Sequence, residues 1–355
     1  MEKITGLLVL LAAFLAMGSI AQEQPSGGVI LVYHHVSEDT PVATSISPDQ
    51  FAQHLDYLEE NHFNPIGIER MLSAINQGEA LPEKAIAISF DDAYESVYST
   101  AFPLLKERDW PFSVFVSTEA IDSAFTGYMS WQQLQELSDY GAEIGGHTQT
   151  HAHLVRKLEG ESQIAWRNRV SQEIDVANQR IEERLDTKVR LFAYPYGEFN
   201  GALKEILANR NLFGLAQHSG AVGVLSDFLA LPRYPMAQSF AAIDRFALVA
   251  NTKALPVTEI DAGPLIRRLG EGISEFHFSV LPGDFQLNNI ACYSATGELL
   301  EHKENEGRIS VVLPSFSVGR NKVNCTAPSS ILSGQYYWFS QLWMVQTEQG
   351  EWPDE

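Results

Sequence analysis

Between residue 28 and about residue 250 the chain alternates unbroken apolar runs with stretches of helical periodicity. Val29-Ile30-Leu31-Val32-Tyr33 has no charged position, the pattern of a strand covered on both faces. A helix start follows at Ser47: Pro48 fits the first helical position, Gln50 completes a capping box, and Phe51, Leu55 and Leu58 share one face. Ala85 to Phe90 reads as the next strand, then a helix through Leu104 and Leu105, then a strand from Phe112 to Val116. Ser130 and Gln133 repeat the capping box ahead of Leu134 and Leu137. Ala142 to Gly145 is a short strand. A long helix is predicted from Glu161 to Leu185, with Ile164, Ile174, Ala177, Ile181 and Leu185 on its apolar stripe. Val189 to Tyr194, Phe213 to Ala216 and Leu229 to Arg233 are the last strands of this series. The alternation predicts an α/β fold, a distorted (β/α) barrel of about seven strands over residues 26–255.

The pattern changes between Asn251 and Gly263, where Pro256 and Asp261-Ala262-Gly263-Pro264 read as a linker. Beyond it come short alternating runs: Phe276 to Val280, Ile290 to Tyr293, Ile309 to Leu313 and Gln335 to Val345. Residues 264–355 are therefore expected to form a small all-β, sandwich-like domain. The aromatic run Tyr336-Tyr337-Trp338-Phe339, with Trp343, fits alternating core and cross-strand pairs better than a sugar-stacking platform.

The chain has 355 residues, 45% of them hydrophobic, and a formal net charge of −21. That charge argues against nucleic acid and against an anionic membrane as the main partner. Residues 1–21 read as a secretory signal peptide: Lys3 supplies the basic region, Leu7 to Met17 the short apolar region, and Ser19-Ile20-Ala21 the cleavage site. The mature chain is expected to be exported, periplasmic or extracellular, with no membrane span, and its oligomeric state is left open. Cys292 and Cys325 are the two cysteines. In an oxidising compartment they can pair, and a structural bridge fits better than thiol chemistry.

The chemistry sits where strands end. Ile86-Ala87-Ile88-Ser89-Phe90 runs into Asp91-Asp92, two carboxylates that repel unless a cation is beside them. Gly146-His147-Thr148-Gln149-Thr150-His151 offers two imidazoles. One acid and two histidines make a three-ligand set for a borderline-soft divalent ion, leaving the second acid free as a base.

Ser89-Phe90-Asp91-Asp92, His147-Thr148-Gln149-Thr150-His151 and Tyr194-Pro195-Tyr196-Gly197, in this order, resemble the polysaccharide deacetylases of carbohydrate esterase family 4. The leading Val32-Tyr33-His34-His35-Val36 resembles the branch acting on poly-N-acetylglucosamine. The resemblance covers about residues 26–250. It implies Asp91 as general base and Asp92, His147 and His151 as ligands of one divalent metal, zinc first, with cobalt and nickel accepting the same set. It implies the Tyr196 backbone N–H as an oxyanion donor and Trp131 beside the metal site. His34 and His35 fit either a pocket wall or core histidines. The family often has Arg two positions before the third-motif Pro, where Ala193 stands here, and Arg233 in Leu231-Pro232-Arg233-Tyr234 is the candidate substitute. The family's general acid is a His in a late L-x-H motif. Leu215-Ala216-Gln217-His218 is one residue longer, making His218 the candidate. An Asp that would tether that His is replaced by Gly127. The implied activity is metal-dependent hydrolysis of acetyl groups on an acetylated polysaccharide, most simply one containing N-acetylglucosamine. The alternatives are a catalytically silent carbohydrate-binding protein and an amidase on small non-peptide C–N bonds.

Overall fold

The computed structural model describes residues 27–353, so the signal peptide expected at 1–21 lies outside the described residues. Seven parallel strands carry the first half: β1 (Val29–Tyr33), β2 (Ala85–Phe90), β3 (Ser113–Val116), β4 (Glu143–Gly146), β5 (Leu191–Ala193), β6 (Phe213–Leu215) and β7 (Tyr234–Pro235). Their order is β7-β1-β2-β3-β4-β5-β6, and the two-residue strand Asn64–Pro65 adds to β2 as an eighth. Every residue of β1 and β2 is buried, as two-sided cover by helices requires. The strand expected at Leu229 to Arg233 is an irregular segment instead. It bridges β6 through Leu215 and Leu231, then pairs with β1 through Tyr234 and Pro235. Pro232 donates no hydrogen bond, so a regular strand is interrupted there. The ring is thus drawn nearly shut by a distorted stave.

Helices cover the outside. Ser47 caps Pro48–Glu60 by accepting from the Gln50 N–H at 3.1 Å, and Ser130 with Gln133 forms a complete capping box at the start of Trp131–Tyr140. The long helix spans Gln163–Leu185 and buries Trp166, Val170, Ile174, Ala177, Ile181 and Leu185. Ile164 lies outside that stripe and is exposed; one turn into the helix, Trp166 takes the inward position.

The expected linker holds two strands, Lys253–Ala254 and Val257–Asp261, that pair with the C-terminal sheets. Those sheets form a sandwich. One contains Ala291–Ser294, Gly319–Pro328 and Tyr336–Gln346; the other contains Glu275–Val280, Arg308–Val312 and His302–Asn305. Phe276, Phe278, Ile309, Val323, Tyr337 and Trp343 fill the space between them. Cys292 and Cys325 stand opposite each other on neighbouring strands and are disulfide-bonded, with Cα atoms 4.0 Å apart. The aromatics of Tyr336–Gln346 alternate as strand geometry demands. Tyr337 and Trp343 enter the sandwich, while Trp338 packs on Tyr234 of the barrel. Leu342 and Met344 from the same strand are buried in the barrel's own core cluster, which joins the two halves.

Candidate active site and metal centre

All seven barrel strands point their carboxyl ends to one rim, and the loops there carry the chemistry. β2 ends in Asp91 and Asp92, β4 in His147, and β1 in His34. Asp92, Thr148, His151 and Tyr196 all adopt positive φ, between 58° and 71°, in the left-handed region that costs a side-chain-bearing residue energy. Sharp left-handed turns fold these loops back over the strand ends.

The ligand atoms of Asp92, His147 and His151 lie within 4.8 Å of one another. Both imidazole Nε2 atoms are 3.2 Å from Asp92 Oδ1. Tetrahedral ligands at bond lengths of about 2.0–2.2 Å stand about 3.3–3.6 Å apart, so each imidazole is already near coordination spacing from Asp92. His147 Nδ1–H donates to the Ala193 carbonyl at 2.7 Å, which leaves the Nε2 lone pair facing the centre. The residues fit a divalent ion. Burial opposes charge on Asp92, but the bonds from His147 and His151 outweigh it and hold its carboxyl well below the usual range. Burial likewise lowers His147, and its bond to Asp92 more than restores it, so its pKa is raised. Opposed shifts of this kind mark a carboxylate and an imidazole drawn together where a cation would serve both.

Asp91 and Arg233 are both completely buried and paired end to end: Nη1 donates to Oδ1 at 2.7 Å and Nη2 to Oδ2 at 2.8 Å. The guanidinium is aimed by its Nε–H bond to the Ala216 carbonyl at 2.9 Å. Burial would raise Asp91; Arg233, His147 and His34 outweigh it and keep the carboxyl below its ordinary value. Gln217 Nε2 donates to the same carboxylate at 3.0 Å, and His34 Nε2 stands 4.0 Å away.

The structure thus brings together Asp91, Arg233, His34, Asp92, His147 and His151, with the Tyr196 ring 4.7 Å from that of His151. It does not bring in His218 or Trp131. Gln217 and His218 stand in an irregular bend after β6, where the Gln217 amide reaches Asp91 and the His218 ring lies elsewhere. His218 packs on Phe199, with burial, Lys322 and Arg320 holding its pKa at about 4. Trp131 donates to Asp122 at 2.8 Å and carries Arg180 and Arg184 over its ring. His35 stacks on Tyr94 at 3.5 Å. His153 stacks on Tyr196 at 3.6 Å and pairs with Glu198 at 2.8 Å. Gln217 was missed from the sequence, although it occupies the third position of the shorter L-x-H register.

Residues 78–213 match the family model described as polysaccharide deacetylase. This stretch is similar to the polysaccharide deacetylases. The deacetylase barrel is 26% identical over 233 residues to a protein of Escherichia coli (strain K12) named poly-beta-1,6-N-acetyl-D-glucosamine N-deacetylase; the match covers 53% of this chain and 34% of that one. A Staphylococcus epidermidis protein of the same name is 23% identical over 194 residues, covering 53% of this chain and 67% of the relative. The chain therefore spans about a third of the length of the Escherichia coli relative. Among solved structures, IcaB from Ammonifex degensii superposes with a TM-score of 0.54 at 27% identity, covering 64% of this chain and 98% of that one. The Streptococcus pyogenes deacetylase PplD in complex with acetate gives 0.57 at 22% identity, over 64% and 99% of the two chains, a likeness of fold.

Proposed function

We propose that this chain hydrolyses acetamide groups on an exported polysaccharide containing N-acetylglucosamine, releasing acetate and leaving a free amine. The observation that carries the reading is the juxtaposition, on one barrel rim, of a preset three-ligand centre and a separate carboxylate locked by arginine. An ion bound by Asp92, His147 and His151, zinc being the first choice for such donors, supplies Lewis-acid polarisation of the scissile carbonyl and acidifies water. Asp91 is the base: Arg233 and Gln217 hold both its oxygens, fixing its orientation toward the attacking water. The Tyr196 backbone N–H is the donor assigned to the developing oxyanion. His34, rather than His218, is the imidazole facing Asp91, 4.0 Å away; burial lowers its pKa, so in the role of donor to the leaving amine it would first take up the proton that Asp91 removes from water. The leader at 1–21 and the disulfide support export, and among the described residues no helix is long and apolar enough to cross a membrane.

The test is acetate release from β-1,6-linked N-acetylglucosamine oligomers by zinc-loaded protein, with chitin oligomers and acetylated xylan as comparison substrates. Release from the first and loss on chelation is the expected result. No release from any of the three would end the deacetylase reading.

A further inference from the structure

Arg320 carries the C-terminal sandwich onto the barrel rim. Along Gly319–Pro328, Asn321, Val323, Cys325 and Ala327 turn into the sandwich, while Arg320 and Lys322 turn the other way. Arg320 is paired in register with Met344, which is buried in the barrel's core cluster, so this end of the strand is anchored against the barrel. The Arg320 guanidinium donates to two backbone carbonyls from different rim loops: Nη1 to Tyr196, and Nη2 to Gln217 at 3.4 Å. Each acceptor belongs to a residue that the site depends on. Tyr196 sits at φ 59°, ψ 5°, a conformation that needs outside support. Gln217 holds the Asp91 carboxylate through its side chain. The two loops also touch, since a Cβ added at Gly197 would come within 2.5 Å of the Gln217 nitrogen.

We propose that Arg320 is a positioning residue for the reaction, and that supplying it is a role of the C-terminal domain; the assignment rests on the deacetylase reading above. A planar guanidinium can span two carbonyls at fixed spacing, which an ammonium cannot. By gripping both, Arg320 fixes the Tyr196–Gly197 peptide and the Gln217 backbone relative to each other. One contact from the second domain thereby governs both the loop carrying the oxyanion donor and the amide that orients Asp91. Arg320 itself is exposed at the domain seam, so its loss loosens the rim without opening the core.

The experiment compares the full chain with Arg320→Met and Arg320→Lys. Amide hydrogen exchange should quicken about tenfold over residues 194–199 and 216–219 in Arg320→Met and by less in Arg320→Lys, with Gln163–Leu185 unchanged as the folding control. On a β-1,6-linked N-acetylglucosamine pentamer, kcat should fall about tenfold for Arg320→Met, with KM and bound zinc unaltered and partial rescue in Arg320→Lys. Unchanged exchange in the two loops overturns the clamp. Faster exchange with unchanged kcat overturns its catalytic consequence, and a raised KM at constant kcat makes Arg320 a substrate contact instead. A wild type that releases no acetate from the pentamer fails the deacetylase reading alone, because the exchange result still decides whether Arg320 holds the loops.

Discussion

Arg233→Met should be among the most destabilising single changes in the barrel, and its cost should shrink by about 2 kcal/mol or more once Asp91 is also changed. Both side chains are completely buried and joined by two short charge-assisted bonds. Two unit charges about 4 Å apart at an effective dielectric of about 20 attract by about 4 kcal/mol, and removing one partner of a buried pair costs about 3–5 kcal/mol because the other charge is stranded. Methionine matches the length of the arginine stem, so packing loss contributes little. The orphaned Ala216 carbonyl, which accepts from Arg233 Nε at 2.9 Å, adds to the cost. Asp91→Asn should cost about 2–4 kcal/mol by stranding the guanidinium. The double variant leaves no unpaired buried charge, so it should fall short of the sum of the singles by about 2 kcal/mol or more.

The assay is urea unfolding at pH 7 followed by far-ultraviolet circular dichroism. All α-helices among the described residues end by Ala250, so the helical signal reports the barrel and not the sandwich. EDTA is present throughout, so that ion binding does not add to apparent stability. Additivity of the two single changes to within about 0.5 kcal/mol would show that Arg233 and Asp91 do not act as a pair. The orienting role assigned to Arg233 would go with it.

Other measurements bear on the rest of the site and the frame. Elemental analysis should find one zinc per wild-type chain and a small fraction of that in His147→Ala, with acetate release lost in parallel; full occupancy in the variant would exclude His147 as a ligand. His34→Gln should lower kcat by about 10²-fold or more while His218→Gln changes it only a few-fold, and the reverse ranking would return the acid role to His218. His54 is buried and neutral, accepting from the Tyr33 hydroxyl at 3.0 Å and donating to the Ala241 carbonyl at 2.8 Å, and burial puts its pKa at about 4. The unfolded state binds this proton first, so stability is complete above about pH 6.5 and falls as pH drops toward 4, by about 3 kcal/mol at 1.36 kcal/mol per pH unit; His54→Leu should flatten that slope by about one proton, and an unchanged slope would refute the assignment. Reducing Cys292–Cys325, which closes a separation of 33 residues, should destabilise the sandwich by about 3–4 kcal/mol on the chain-entropy model, read as a lower urea midpoint in intrinsic tryptophan fluorescence.

What the sequence made legible and what it hid follow from the range over which each signal acts. The apolar runs of β1 and β2, the capping boxes at Ser47 and Ser130, and the placement of Asp91, Asp92 and His147 just past strand ends are local patterns, and local patterns can be read without a partner. The Arg233 and Asp91 pair spans 142 residues, yet it was open to inference because Ala193 stands where an orienting arginine is otherwise found. His218 is a different case. An imidazole beside an apolar strand invites assignment by residue type, but Gln217 and His218 stand in the bend after β6, where no strand period tells which side chain enters, and it is Gln217 that reaches Asp91. Arg320 shows the opposite limit. Its acceptors are backbone carbonyls, which leave no mark in sequence, and they lie 124 and 103 residues away on another domain. A side chain whose work is to hold main chain can be found only once the two folds have been brought together.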